Sequence, residues 1–339
     1  MHNVLVTARI FGQISDQAFE VFRKNGLKVV PNPYRGKKLS EIELIELIGG
    51  IDALVCGLDQ VTAKVIGAAD KLKVISMFGT GIDHIDVKAA AEKCIVVTSV
   101  PAVNSDAVAD MTFALMLTIA RRIPFAFDQV KERKWPLIIG VEVYHKTLGI
   151  IGLGQIGKRV ALRAAGFNMK ILANESFPDE SFINEKKIQL MPLNHLLRES
   201  DFVSIHVPLT PETKGLIGPD QFEMMQPTAF LINTARGGVV DEIALYDALK
   251  SGKIAGAAFD VLKEEPLKER RLLDLENFIV TPHISAFTKE AIEKTEKLSA
   301  QNVIDVLKGR HCPNIINPKK VLKQSYFPCS VPNLHDRSH

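Results

Sequence analysis

Cysteine is scarce in this chain of 339 residues: there are four, Cys56, Cys94, Cys312 and Cys329, and no two form a CxxC pair. Such wide spacing argues against a disulfide framework and fits reduced thiols in a cytoplasmic compartment. His84, His195, His206 and His311 have no ligand-like pairing, so no metal site is expected. An excess of one charge is missing too. A net charge of +3 without a long basic stripe leaves no footprint for nucleic acid. Nor is there a long apolar run. The most apolar stretch, Met111–Ala120, is too short to span a bilayer and ends at Arg121-Arg122, so no membrane insertion is expected. Met1–Ile10 reads as a strand rather than a signal peptide. No internal repeat or low-complexity segment is found.

What remains is an ordinary globular composition, 46% hydrophobic and 24% charged, with a length that suggests two domains. From Asn3 to Val100 the pattern alternates. Val4–Thr7, Leu27–Val30, Ala53–Cys56, Val74–Met77 and Ile95–Thr98 read as strands. Ser15–Lys24, Ser40–Ile48, Thr62–Ala69 and Asp86–Lys93 have helical spacing. Alternating βα units imply a parallel sheet covered on both faces. Ser40 and Glu43 form a capping box. Residues 101–145 differ. Asn104–Ala120 reads as a long apolar helix, Pro124 interrupts the pattern, and a second amphipathic piece runs to Trp135. The methionines and phenylalanines of Met111–Phe127 read as core.

The stretch from Lys146 to Glu175 organises the rest. Thr147–Ile151 is a short apolar run, followed by Gly152-Leu153-Gly154-Gln155-Ile156-Gly157 and a helix-like segment, Lys158–Ala165. A second apolar run, Met169–Ala173, leads to the acid Glu175. Strand, glycine turn, helix, strand and acid make up the dinucleotide-binding fingerprint. Gly152 permits the tight turn, Gly154 lets the backbone approach a pyrophosphate, and Gly157 lets helix and strand pack closely. The helix N-terminus offers N–H groups and a positive dipole end to phosphate. Glu175 can bond both ribose hydroxyls and would repel a 2′-phosphate, which points to NAD(H) rather than NADP(H).

Later strands Asp201–Val207, Thr228–Thr234, Gly256–Asp260 and Phe278–Thr281 follow, with helices at Asp241–Lys250, before Gly252, and Thr288–Leu307, before Gly309. Pro313–Pro318 reads as a short extended piece and Lys319–His339 as a loosely ordered tail. Ligands of open parallel sheets bind beyond the carboxyl ends of the strands. There, three strands deliver Ala235-Arg236-Gly237-Gly238, the carboxylates before Pro266, and Pro282-His283. An arginine matches a carboxylate bidentately, a histidine exchanges a proton near neutral pH, and an acid beside the histidine fixes its tautomer. Hydride transfer on a 2-hydroxy acid needs these three groups.

These motifs, with Gly79-Thr80-Gly81-Ile82-Asp83, Asn104–Asp110, His206–Thr210, Asn233–Gly238, Asp260–Pro266 and Pro282–Ala286, resemble the D-isomer-specific 2-hydroxyacid dehydrogenases. The phosphoglycerate-dehydrogenase-like branch is the nearest. The resemblance runs from about Val4 to Pro318 and implies an NAD-dependent dehydrogenase of a D-2-hydroxy acid, of the D-3-phosphoglycerate dehydrogenase or glyoxylate/hydroxypyruvate reductase kind. The implied fold is α/β with two doubly wound parallel-sheet domains. A discontinuous flavodoxin-like substrate domain would comprise 1–100 and 287–318, and a Rossmann NAD-binding domain 101–286, with a cleft between them and a tail at 319–339. The implied catalytic residues are Arg236 on the substrate carboxylate, His283 as acid/base and Glu265 as its hydrogen-bond partner. Thr80, Gly81 and Asn104 join Arg236 in binding substrate. The pyrophosphate and ribose would meet Gly152, Gly154, Gln155, Ile156, Gly157 and Glu175. Thr80, Val207, Pro208, Thr234, Ala235, Arg236, Asp260, His283 and Ala286 would complete the cofactor site. The resemblance also implies a homodimer joined through the cofactor domain, with Asn104–Ala120 contributing.

Three departures matter. Glu175 stands where aspartate is usual, which keeps the charge but lengthens the reach. Cys56-Gly57-Leu58 and Pro136-Leu137-Ile138-Ile139 offer no cation where phosphoglycerate oxidisers often carry basic groups, so a smaller or more apolar substrate is expected. Thr80 stands where phosphite-oxidising relatives typically carry lysine. No appended regulatory domain, and hence no feedback by a bound amino acid, is expected. The alternative is a non-enzymatic, NAD(H)-sensing, partner-binding protein of the co-repressor kind on the same scaffold.

Overall fold

In the computed structural model, which describes residues 1–34, 36–266 and 270–317, the apolar runs become parallel strands and the amphipathic ones the helices that connect them. In chain order these are β1 (His2–Val6), α1 (Gln17–Lys24), β2 (Leu27–Val30), α2 (Glu41–Leu47), β3 (Ala53–Cys56), α3 (Ala63–Ala68), β4 (Val74–Met77), α4 (Val87–Glu92) and β5 (Val96–Thr98). Next come α5 (Ser105–Ala120), α6 (Ile123–Lys131), β6 (Thr147–Ile151), α7 (Gln155–Gly166), β7 (Lys170–Asn174), α8 (Glu180–Lys186), β8 (Gln189–Leu190), α9 (Leu193–Glu199) and β9 (Phe202–Ile205). The chain continues with α10 (Pro219–Met224), β10 (Phe230–Asn233), a 3-10 turn (Gly237–Val239), α11 (Glu242–Lys250), β11 (Gly256–Phe259), β12 (Phe278–Val280) and α12 (Lys289–Leu307). Two compact units result. Among the described residues, one holds Met1–Asn104 and 289–317, and the other Ser105–Thr288.

The first unit is a five-stranded parallel sheet in the order β2-β1-β3-β4-β5, the flavodoxin-like order. Successive residues of each strand face opposite sides. Leu5, Leu54, Ile75 and Val97 pack with Leu44, Val65 and Ala90 under α2, α3 and α4. Their neighbours Val4, Val55, Val74 and Val96 pack with Phe22 of α1 and with Ala300, Val303 and Ile304 of α12. A strand buried on both faces has no polar alternation, which is why these strands read as continuous apolar runs. The Ser40–Glu43 capping box is present: Ser40 Oγ accepts the Glu43 N–H and Glu43 takes the Ser40 N–H. The last helix is pinned by buried polar bonds, Ser76 Oγ to Ser299 Oγ at 3.0 Å and Asn302 Nδ2 to the Ser99 carbonyl at 2.9 Å. Beyond it, Ile315 bridges Thr98.

The second unit is a seven-stranded parallel sheet, β12-β11-β10-β9-β6-β7-β8, whose order reverses at β6/β9. One face packs Ile151, Leu172, Val203 and Leu231 against α9, α10 and α11, and the other packs Leu148, Ile150, Phe202 and Ile232 against α5 and α7. Ten of the sixteen residues of α5 are buried. Pro124 does not break a helix; it sits in the first turn of α6, where a missing N–H costs nothing. That helix ends at Lys131, short of Trp135, and buries none of its residues. Phe127, expected in the core, is 61% exposed. The expected tail, 319–339, lies outside the described residues.

At the amino edge of the first sheet, Asp52 accepts from the Asn3 N–H at 2.9 Å and from His2 Nδ1 at 2.8 Å, with Lys73 Nζ at 3.4 Å. Burial pushes its carboxyl up, but these three partners outweigh it and hold the pKa below the usual carboxylate value. A depressed folded-state pKa stabilises above the unfolded value, and that contribution fades as pH falls through the folded one. Asp52→Asn is therefore expected to lower the urea midpoint at neutral pH and to narrow the gap to wild type in acid; an unchanged midpoint at pH 7 contradicts this.

Candidate active site

The glycine turn begins where β6 ends, at the reversal point of the strand order. Gly152 has φ +92°, and a Cβ there would lie 2.8 Å from the His206 carbonyl oxygen and from a Val207 methyl. Only glycine meets both demands. A Cβ on Gly157 would lie 2.1 Å from the Gly152 oxygen, so α7 sits directly against the turn. At Gly154 a Cβ would meet nothing within 4 Å. Gly154 is the exposed N-cap of α7 and carries no side chain, so the N–H groups of the first turn, through Gln155 and Ile156, face open space. Glu175 follows β7. Its carboxylate accepts from the Leu153 N–H at 2.7 Å and from the Phe177 N–H at 2.9 Å, which places a negative charge against the turn with lone pairs to spare. An open anion site at a helix N-terminus with an acid beside it fits a dinucleotide whose ribose is unphosphorylated.

Three neighbouring strands carry the other groups. After β10, Asn233 shapes the loop: its side chain accepts from the Ala235 N–H at 3.0 Å and donates to the Arg236 carbonyl at 2.9 Å. Thr234 is buried with its hydroxyl 3.1 Å from that of Thr112. Arg236 Nη1 donates to the Ala235 carbonyl at 2.7 Å. After β11 comes Asp260, 1% exposed. Its carboxylate accepts from Thr281 Oγ1 at 2.5 Å, the Ile284 N–H at 2.9 Å and the Ser285 N–H at 2.7 Å. The Asp260 carbonyl accepts the His283 N–H at 3.0 Å. This one residue thus holds the whole turn after β12, in which His283 takes φ +57°, a left-handed conformation that costs about 1–3 kcal/mol. Further along the loop after β11, Glu265 Oε1 accepts the Leu262 N–H at 3.0 Å, and Oε2 lies 2.8 Å from His283 Nδ1.

The expected residues fall into place unevenly. Glu265 and His283 meet directly, and Arg236 stands at the end of the adjacent strand. Val207 packs on the glycine turn, with Pro208 exposed beside it. Ala235 and Ala286 are partly exposed in the Arg236 and His283 loops. In the first unit, Thr80 is exposed just beyond β4, with its hydroxyl on the Val100 carbonyl at 3.0 Å; Gly81 follows it, and Asn104 is partly exposed before α5. The positioning work of Asp260 and Asn233 was not foreseen, because their partners lie in loops with no local sequence signal. His206 Nε2 lies 2.7 Å from Ser204 Oγ, and burial lowers its pKa to about 3, so it stays neutral under the turn. No cluster of side chains that could hold a metal occurs among the described residues.

Comparison with known proteins agrees with this geometry. Residues 113–285 match the family "D-isomer specific 2-hydroxyacid dehydrogenase, NAD binding domain". The chain is 44% identical to a glyoxylate reductase of Korarchaeum cryptofilum over 82% of this chain and 86% of that one. It is also 44% identical to a D-3-phosphoglycerate dehydrogenase of Methanocaldococcus jannaschii over 82% of this chain, but it spans only 54% of that longer protein. Among solved structures, the D-lactate dehydrogenase of Aquifex aeolicus, complexed with NAD and lactic acid, superposes with a TM-score of 0.78 at 32% identity, over 91% of this chain and 96% of that one.

The Arg236 and Glu265 loops interlock: a Cβ on Gly237 would lie 2.0 Å from the Leu262 carbonyl carbon and 2.2 Å from the Lys263 nitrogen. Gly237→Ala is therefore expected to cost about 1–3 kcal/mol, as overpacking does. Urea denaturation checks this, and an unshifted midpoint contradicts it.

Proposed function

Because the chain belongs to the D-isomer-specific 2-hydroxyacid dehydrogenases, an NAD-dependent family, we propose that Arg236, Glu265 and His283 carry out reduction and oxidation at C2 of a small 2-oxo or 2-hydroxy acid. The observation that carries the reading is the 2.8 Å contact of His283 Nδ1 with Glu265 Oε2 at the ends of adjacent strands. With Nδ1 donating to the acid, Nε2 is left to face substrate. NADH, when bound, supplies the hydride for C2. In the reductive direction His283 gives the Nε2 proton to the carbonyl oxygen, and Glu265 stabilises the imidazolium before transfer. Arg236 pairs with the substrate carboxylate and polarises the carbonyl. In the oxidative direction His283 takes the hydroxyl proton. Cofactor contacts fall to the Gly152–Gly157 turn, Glu175, Val207, Pro208, Thr234, Ala235, Asp260 and Ala286.

The substrate class follows from what the strand ends offer. Cys56 and Met77, the last residues of β3 and β4, are buried and uncharged. A Cβ on Gly57 would already lie 3.3 Å from the Ala8 backbone, leaving little room for a long cationic side chain. Arg9, exposed after β1, is the cation nearest to this edge in sequence. A glyoxylate-sized or apolar 2-oxo acid fits better than a phosphorylated one. The test follows NADH absorbance with glyoxylate, pyruvate, hydroxypyruvate and 3-phosphohydroxypyruvate. Faster turnover of the unphosphorylated acids is expected; preference for the phosphorylated one contradicts the substrate class, and silence with tight NADH binding contradicts the enzyme. His283→Ala is expected to lower turnover by about 10²–10⁴-fold, the usual worth of a general acid, with NADH binding retained. Wild-type turnover in that variant contradicts the role.

The reading includes a cytoplasmic homodimer. Cys56, Cys94 and Cys312 are free thiols, as a reducing compartment keeps them. The apolar surface for a second copy lies on α6 and the loop after it rather than on buried α5. Trp135 is 86%, Leu137 100% and Ile139 88% exposed, and Phe127 of α6 is 61% exposed. A cluster in sequence of large apolar side chains left in the open favours this segment as an interface. Leu137→Glu with Ile139→Glu is expected to shift sedimentation from dimer to monomer; an unchanged dimer rules this surface out.

A further inference from the structure

Glu242 opens α11, next to the N-cap Asp241. Asp241 performs the capping alone, its Oδ1 accepting from the Ile243 N–H at 2.9 Å and the Ala244 N–H at 3.2 Å. The described bond of Glu242 goes elsewhere. Its Oε1 accepts the Lys263 N–H at 2.5 Å, across 21 residues of chain. That peptide is the one against which Gly237 is packed, and its other side continues into Leu262, whose N–H holds Glu265 Oε1 at 3.0 Å. The segment Leu262–Glu265 is thus fastened at two successive amides, one by each of two carboxylates, and Glu265 then faces His283.

The position is an unfavourable one for a carboxylate. Glu242 is half-buried; burial raises its pKa, Asp241 and Glu265 add repulsion, and the Lys263 N–H and ammonium oppose them. A first-turn acid that served only the helix dipole would gain most in the open. An acid kept beside two others, with its oxygen on the catalytic loop, has a different use.

We propose that Glu242 is a positioning residue for the acid–base pair: by holding the Lys263 amide it keeps Glu265 in hydrogen-bond register with His283. This rests on the reading of Glu265 and His283 given above. It predicts an effect on chemistry rather than on cofactor binding, since displacements of an ångström or so in a catalytic group cost up to about 10²-fold.

The test compares Glu242→Gln and Glu242→Ala in the full-length protein, measuring kcat against pH for 2-oxo acid reduction, NADH affinity by fluorescence and the thermal midpoint. Glu242→Gln keeps an acceptor oxygen for the Lys263 N–H, so it is expected to retain kcat within about threefold and the shape of the pH profile. Glu242→Ala is expected to lose tenfold or more in kcat, with the alkaline limb of the profile moved to lower pH and NADH affinity unchanged. The inference is overturned if Glu242→Ala moves only the thermal midpoint, or if Glu242→Gln loses as much kcat as Glu242→Ala. His283→Ala in the same assay separates the two failures. If that variant is inactive while Glu242→Ala turns over normally, the positioning role alone is wrong; if it turns over normally, the acid–base reading is wrong.

Discussion

The hydrogen bond between His283 and Glu265 is the contact that the loops around it are arranged to hold. At 2.8 Å it requires two loops, from β11 and β12, to stay in one register, although neither belongs to a regular element. Each loop is tied back to the sheet. Asp260, buried at the end of β11, gathers the Thr281 hydroxyl and the Ile284 and Ser285 amides and so fixes the left-handed turn of His283. Glu265 is tied to Leu262 through its second oxygen, and the Gly237 backbone closes on the peptide between them. Left-handed backbone at a non-glycine residue persists only where its surroundings over-determine it, and here they do.

The parallel sheet makes this economical. All strands point the same way, so every loop that follows a strand emerges on one edge, and the reversal of order at β6/β9 opens a crevice where two loops turn apart. The glycine turn occupies that point, with Glu175 one strand to one side and the Arg236, Glu265 and His283 loops on the other side beyond β9. The groups proposed for cofactor recognition and for proton handling are therefore separated along the sheet but share its carboxyl edge. The imidazole of His206, kept neutral by burial, adds no positive charge beneath the turn.

The sheet was legible in the sequence because strands buried on both faces leave apolar runs too short for helices, alternating with amphipathic segments. Leu27–Val30, Ala53–Cys56 and Val74–Met77 carry the bounds read from the pattern. The Glu265–His283 contact was legible because strand ends brought a carboxylate run and a histidine to one edge and the family resemblance singled out Glu265. Other features were not. The two-residue β8 and the short helices α8, α9 and α10 are too brief to show a period. Phe127 reads as core by residue type and stands in the open, since composition cannot distinguish an apolar residue that packs inward from one that does not. The bonds from the two oxygens of Asp260 to the His283 turn were not legible either, because long-range polar bonds of this kind leave no mark on local spacing.

A double-mutant cycle on His283 and Glu265 addresses the central claim most directly. If the two act as one proton-handling unit, Glu265→Ala costs little once His283 is already alanine, and the kcat losses of the single variants do not add. Independent, additive losses would mean that the two side chains touch without working together, and would contradict the account.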